Sequence, residues 1–276
     1  MSRRKPSDIV LTALTWVFAA LTLAALLFII FHVLLRGLPH LTPTLFERRF
    51  TPDNVSMFPA MVSTLMMVGL SLGIAVPLGI FTSIYLVEYV KTGSKFVMLI
   101  RSAAEMLAGI PSVVYGLFGM LMFVEFFGFG WSLIAGAFTL TIMILPVVIR
   151  TTEEALKAVP GGFREGGFAL GAGKLRVVFK IVLPSAVPGI LAGVILATGR
   201  IVGETAALIF TAGTVPQIPE NLTQSARTMA VHMWALSGEA HNVNEAYAAA
   251  VILLMIVLLI NMASAMIARL FTAKKR

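Results

Sequence analysis

Residues Arg164–Pro184 read REGGFALGAGKLRVVFKIVLP, a polar, glycine-rich stretch set between strongly apolar ones. Glu165 and Gly171 are followed at fixed distances by Ile181, Leu183 and Pro184. Pro160 suits a first helical position, and Glu165 suits the positive end of a short helix dipole. Phe163, Gly167 and Leu170 fall at i, i+4 and i+7, which predicts one apolar face around a small residue. Gly171 and Gly173 are expected to end this helix and turn the chain back. Gly166 and Gly167 each disfavour helix by roughly 1 kcal/mol relative to alanine, so the helix needs a docked neighbour to be rigid. A polar helix of this kind in an apolar chain is placed to exchange mechanical work with something outside the bilayer.

The surroundings are unmistakably apolar. Hydrophobic residues make up 58% of the 276, charged residues only 12%, and mean hydropathy is +0.94. These values exclude an ordinary soluble domain. A spanning helix needs ~20 apolar residues, because each rises ~1.5 Å across ~30 Å of hydrocarbon. Six charge-free runs approach or exceed that length: Ile9–Leu35, Asn54–Val87, Met106–Val124, Phe126–Ile149, Ile181–Gly199 and Ala246–Ala268. The first is 27 residues long. That is too long for the apolar region of a secretory signal, and no small-residue cleavage site follows it. It reads as an uncleaved span.

A net charge of +8 invites a nucleic-acid reading, but its distribution argues against one. With both termini in the cytoplasm, the inner segments hold Arg3, Arg4, Lys5, Lys91, Lys95, Arg101, Arg150, Lys157, Arg164, Lys174, Arg176, Lys180, Arg269, Lys274, Lys275 and Arg276. The outer side holds Arg36, Arg48, Arg49 and Arg227. Sixteen against four is the positive-inside pattern, so the basic charge reads as topology and lipid contact. The absence of cysteine rules out disulfides and thiolate metal sites.

The expected organisation has a first span and external loop at 1–56, a core at 57–270 and a basic tail at 271–276. A cytoplasmic excursion falls at about 150–180 within that core. The loop Gly37–Phe58, with Pro39, Pro43 and Pro52, reads as a short structured cap. The second span carries Gly69, Gly73, Pro77 and Gly79, small residues that let helices approach and a proline that bends them. Gly69–Gly73 also matches G-x-S-x-G, but that motif needs a strand-to-helix corner and a histidine partner. Here it lies mid-span, while His32, His40, His232 and His241 fall at membrane edges or in outer loops. Helix packing is the better reading.

The spacing E-G-G-x3-G-x9-I-x-L-P resembles the coupling loop of ABC importer permeases, E-A-A-x3-G-x9-I-x-L-P. Gly166 and Gly167 depart from the two alanines, which bears on the rigidity of the loop. Glu105–Leu117, EMLAGIPSVVYGL, and Gly199–Ala212, GRIVGETAALIFTA, resemble the phosphate-specific permeases, the second more the PstA-type than the PstC-type subunit. The resemblance covers roughly Met57–Leu270. It implies an all-α, six-span type I importer permease in a bacterial or archaeal inner membrane. It also implies a second, PstC-type permease as partner, an ATPase dimer below and a phosphate-binding protein outside. No G-x-x-x-x-G-K-[ST] occurs; Gly173-Lys174 comes nearest, with Phe168 and Leu175 at the wrong positions. This chain is therefore expected to bind no cofactor, with ATP and Mg held by the partner ATPase. Glu165, Gly171, Lys174, Ile181, Leu183 and Pro184 become the expected ATPase-coupling residues. For Glu165 the plainer reading is an ordinary helix-terminal carboxylate.

Four residues are candidates for the substrate pathway. Arg200 and Glu204 stand at i, i+4, so in an unbroken helix they share a face. Arg200 lies about 24 Å along the helix beyond Pro184, well inside the bilayer, where a lone charge costs about 2.5–3.5 kcal/mol. One reading makes Arg200 a cationic step for an anion, held by Glu204; the other makes the pair a structural bridge between permeases. Glu105, near the inner boundary of the third span, serves an inner gate, snorkels, or pairs with Arg101 one turn earlier. Ser112 follows Gly109-Ile110-Pro111, a break of the kind that lines transporter pathways. Gly116 and Gly119 beyond it have tight packing as their commoner use. A permease for molybdate or sulfate, and less well an ion-gradient carrier, are the competing functions; an intramembrane hydrolase lacks a nucleophile and base.

Overall fold

The computed structural model describes residues 6–90, 94–239 and 242–273, which are helical or irregular throughout, with no strand among them. Arg3, Arg4, Lys5, Lys91, His241, Lys274, Lys275 and Arg276 lie outside the described residues. Helix α1 spans Pro6–Gly37, and α2 Phe58–Ile84 continues as a π-turn through Tyr85–Tyr89. Then come α3 (Lys95–Ala108) and α4 (Ser112–Gly119), the latter continued by a π segment to Phe126. Helix α5 spans Leu133–Lys157 and α6 Gly161–Ala169. A short α7 (Lys174–Val177) runs through a π-turn into α8 (Leu183–Val202). Helices α9 (Ala206–Thr211), α10 (Met229–Ser237) and α11 (Val243–Ala273) complete the chain.

Five of these stretches are long and apolar enough to cross a bilayer, and α3 with α4 makes a sixth if the bent pair is one span. That pair corrects the expected third span. The run Met106–Val124 is interrupted at Gly109-Ile110-Pro111, and the two helices meet at 104°. Proline lacks an N–H and disfavours helix in the residue before it, so the corner falls there. Tyr115 locks it by donating from Oη to the Leu107 carbonyl at 2.7 Å. Before the corner α3 buries Val97 against Leu86 and Ile149 while Phe96, Met98 and Leu99 stay exposed.

The fourth span also shifts. The expected start, Phe126, belongs to the preceding π segment, and the chain turns through Gly128 and Gly130, both at positive φ. Ser132 caps α5 by accepting from the Ala135 N–H. At its other end α5 runs past Ile149 because Arg150–Glu154 and Glu153–Lys157 pair at i, i+4. The excursion thus begins after Lys157 and not at Arg150.

Helix α5 is the centre of the bundle, with 67% of its most apolar window buried, whereas none of that window in α1 is. Helices α2 and α8 flank it. Ser83 Oγ donates to Ile149 O at 2.8 Å, and a Cβ at Gly79 would stand 2.6 Å from Val148 Cγ1. Packing at Gly79 agrees with expectation. At Gly69 and Gly73 it does not, since an added Cβ at either meets open space. Ser71, between them, makes the contact to α5 by donating to Ala137 O. Outside the bundle, Leu45 and Met57 are tied by a backbone bond of 2.8 Å, and Asn54 bonds Glu47 at 2.8 Å, so Gly37–Phe58 is an ordered cap.

Candidate functional site

The excursion between α5 and α8 is built as its spacing requires. Pro160, with extended ψ, stands at the N-cap of α6. At the far end Gly171 takes φ +77°, its N–H bonding Phe168 O at 2.9 Å while Ala172 N–H bonds Gly167 O at 3.1 Å. Those two bonds are a Schellman termination, which needs a residue able to enter the left-handed region. Gly173 and Lys174 then open α7. Gly167 is buried: a Cβ there would lie 2.9 Å from Ile181 Cδ1 and 3.0 Å from Val177 Cγ2. Ile181 is thus the residue on which α6 rests, and both Ile181 and Leu183 pack on the core formed by Ile84, Leu156, Val159 and Val182. Pro184 follows directly on the π-turn Val178–Val182, at the point where that turn passes into α8.

The predicted apolar face of α6 is not formed as drawn. Gly167 points inward, but Phe163 is 53% and Leu170 90% exposed. Leu170 lies beyond the last helical residue, so it has left the helical register. Together with Phe168 and Glu165, Phe163 and Leu170 leave an exposed apolar patch around a carboxylate at the tip of the excursion.

One residue anchors this tip that spacing alone did not single out. Arg164 donates to Glu88 Oε1 from Nε at 3.0 Å and from Nη2 at 2.7 Å, and also to the carbonyls of Val159 and Leu156 at 2.9 Å. On the other side of Gly171, the Lys174 ammonium stands 4.7 Å over the Tyr89 ring. Seventy-six residues separate Glu88 from Arg164, so no local pattern could reveal the pair.

The pathway candidates divide between two places. Arg200 is in the last turn of α8, but α8 stops at Val202, so Glu204 does not share a helix face with it. Glu204, 8% exposed, instead accepts from the Ala207 N–H at 3.0 Å and caps α9. Among the described residues no ion pair joins the two. The reason is Gly203, which ends α8 and forms with Glu204 and Thr205 a break before α9. The Arg200 charge lies instead within electrostatic reach of the Tyr115 phenol on α4. Ser112, half-buried, opens α4 at the other break. The two interrupted helices are pressed together: a Cβ at Gly116 would lie 2.9 Å from Ala207 Cα, and one at Gly119 2.8 Å from Thr139 Cγ2 and Thr211 Cγ2. Both glycines therefore serve packing.

Glu105 lies elsewhere, on α3 ahead of the corner at Pro111. It lines a cavity of about 480 Å³ between α3, α5 and Leu196 of α8, with Arg101, Arg150, Glu153, Glu154 and Lys157. Arg101 pairs with Glu153 of α5 and not with Glu105. Glu153, 6% exposed, takes Lys157 as second partner at 2.6 Å.

At the opposite end of the bundle Arg227 stacks over Phe50 at 5.5 Å and donates to Thr214 O at 2.6 Å. His232, fully buried edge-on to Phe50, has its pKa pushed down to about 4 by burial, then by the Arg227 charge, and is only partly restored by the Val55 backbone.

A central helix flanked by two others, two interrupted helices joined through small residues, and a rigidly terminated polar helix outside the bundle together define an importer permease. The chain belongs to the family described as "Binding-protein-dependent transport system inner membrane component", whose profile matches residues 75–276. Within that family it is similar to phosphate permeases. It is 37% identical to "Phosphate transport system permease protein PstA 1" of Mycobacterium tuberculosis over 80% of this chain and 72% of that one. It is 32% identical to "Phosphate transport system permease protein PstA" of Haemophilus influenzae over 94% and 92%. It is also 41% identical to "Probable ABC transporter permease protein YqgI" of Bacillus subtilis, spanning 59% of that protein's length. In fold it resembles the inward-facing MetNI methionine ABC transporter, with a TM-score of 0.60 at 20% identity over 78% of this chain and 94% of that one. Like its relatives the chain is a multi-pass membrane permease, not an enzyme, and ATP hydrolysis falls to a separate subunit of the importer.

Proposed function

We propose that this chain is the PstA-type subunit of a bacterial inner-membrane importer that carries inorganic phosphate into the cytoplasm by alternating access. Its partners are a PstC-type permease, a dimer of ATPase subunits that bind ATP and Mg, and an external phosphate-binding protein. Both termini and α6 lie on the cytoplasmic side. The observation that carries the reading is the excursion itself. Glu165 and its apolar neighbours are exposed at the tip of a helix that Gly167, Ile181 and the Gly171 termination hold against the bundle. A helix so seated passes on a push as a rigid-body shift. Arg200 offers phosphate a cation next to two breaks in the helical backbone, where freed peptide groups can solvate an anion.

The test is uptake by the reconstituted complex with a working and with a hydrolysis-dead ATPase, in competition with phosphate, molybdate and sulfate. Uptake is expected to require hydrolysis and to yield to unlabelled phosphate alone. Glu165→Lys is expected to lower uptake and ATPase stimulation together. Transport by the purified chain alone in liposomes, or normal coupling in the Glu165 variant, would overturn the reading.

A further inference from the structure

We infer that Arg164, not only the carboxylate beside it, is a positioning residue of the transport cycle. It fastens the coupling helix to the end of α2 and so delivers the movement of α6 to that helix. The inference rests on the proposed role of the excursion as the ATPase contact.

The geometry is specific. Arg164 sits on α6 one residue before the exposed Glu165, yet its side chain turns inward, with 21% of it exposed and 10% of the Glu88 side chain. Two of its nitrogens bind one Glu88 oxygen, and the same guanidinium bonds the carbonyls of Leu156 and Val159 at the end of α5. A guanidinium presents its donors in a fixed planar fork, so filling it from two elements sets their relative orientation. Glu88 lies in the π-turn Tyr85–Tyr89 that continues α2. The next residue, Tyr89, receives the Lys174 ammonium from the far side of Gly171. The excursion therefore grips the same turn of α2 from both of its limbs. Apolar contacts at Gly167 seat α6 on the α7–α8 limb, but among the described residues these polar contacts are what tie it to α2. Helix α2 in turn packs along the central α5, with Ser83 bonding Ile149. A displacement of α6 thus has a direct route into the middle of the bundle. A half-buried ion pair of this sort is strongly coupled, because removing one partner leaves the other charge uncompensated.

The test uses the complete complex in proteoliposomes, reading phosphate moved per ATP hydrolysed and the amount of ATPase subunit that co-purifies. Arg164→Ala and Glu88→Ala are each expected to lower that ratio about tenfold with the ATPase still bound, as for a coupled pair. The exchange Glu88→Arg with Arg164→Glu is expected to recover at least about threefold of it, partial because a carboxylate cannot donate to Leu156 and Val159. Should an alanine variant not reach the membrane, Glu88→Gln carries the same comparison. An unchanged ratio in the single variants, loss that follows loss of bound ATPase, or an exchange no better than either single change would overturn the inference. Glu165→Lys separates the two claims. If it uncouples while Arg164→Ala does not, only the fastening falls. If it leaves assembly and coupling intact, the proposed role of the excursion falls and the fastening with it.

Discussion

Gly116 of α4 and Ala207 of α9 meet almost backbone to backbone, with 2.9 Å between an added Cβ and the Ala207 Cα. Each belongs to the far half of an interrupted helix, so this contact decides how the two breaks face one another. Gly116→Ala is expected to destabilise the protein by about 1–3 kcal/mol, as overpacking does, and to lower uptake more than stability alone explains. Gly73→Ala, where the added methyl meets nothing within 4 Å, is expected to stabilise α2 by up to roughly 1 kcal/mol and to leave uptake unchanged. Thermal unfolding in detergent alongside uptake checks both.

The two glycines that depart from the alanines of the family pattern are not equivalent. At Gly166 an added Cβ meets open space, so Gly166→Ala should rigidify α6 and stabilise by about 0.4–1 kcal/mol. At Gly167 it meets Ile181 and Val177, so Gly167→Ala must push α6 outward, at a cost of about 1 kcal/mol or more. Gly167→Ala combined with Ile181→Val is expected to recover part of that loss. Helix protection by hydrogen exchange across 161–169 distinguishes these outcomes.

Arg200 is half-buried and forms no ion pair with a carboxylate among the described residues, so no carboxylate neutralises its charge there. Arg200→Gln is expected to cut phosphate uptake by roughly ten- to hundredfold, the range for one charged hydrogen bond, with the complex still assembled. Glu204→Gln is expected to act differently, loosening the start of α9 without abolishing uptake. Full uptake by the Arg200 variant would exclude the residue from the path.

His232 supplies a pH dependence with a definite sign. Its folded pKa of about 4 lies below the usual 6.5, so the unfolded chain binds more protons in between. Stability is complete above about pH 6.5 and falls as pH drops toward 4, by about 3 kcal/mol in all. His232→Gln should flatten that dependence, measured as denaturation midpoint between pH 4.5 and 7.5.

Much of this architecture is legible in local sequence because local physics makes it. The spans follow from apolar run length, and the turn at Gly171 from a glycine that must enter the left-handed region. The corner at Pro111 and the break at Gly203 were visible as glycine and proline but not as a reorientation of whole helices. Contiguous apolar character hid the first, and i, i+4 spacing hid the second, since Arg200 and Glu204 look like neighbours only if the helix is continuous. Long-range pairs such as Arg101 with Glu153, or Arg164 with Glu88, leave no trace in local spacing. They form because the topology sets α3 beside the end of α5 and α6 beside the end of α2.

Helix α1 packs against α11, where Gly37 meets the Tyr247 backbone and Val251 and where His32 stands edge-on to Tyr247 at 5.8 Å. For most of its length it answers to lipid or to a neighbouring subunit and not to its own chain. Apolar residues of almost any shape would serve along that outward surface, so drift should be rapid there and slow only near Gly37 and His32.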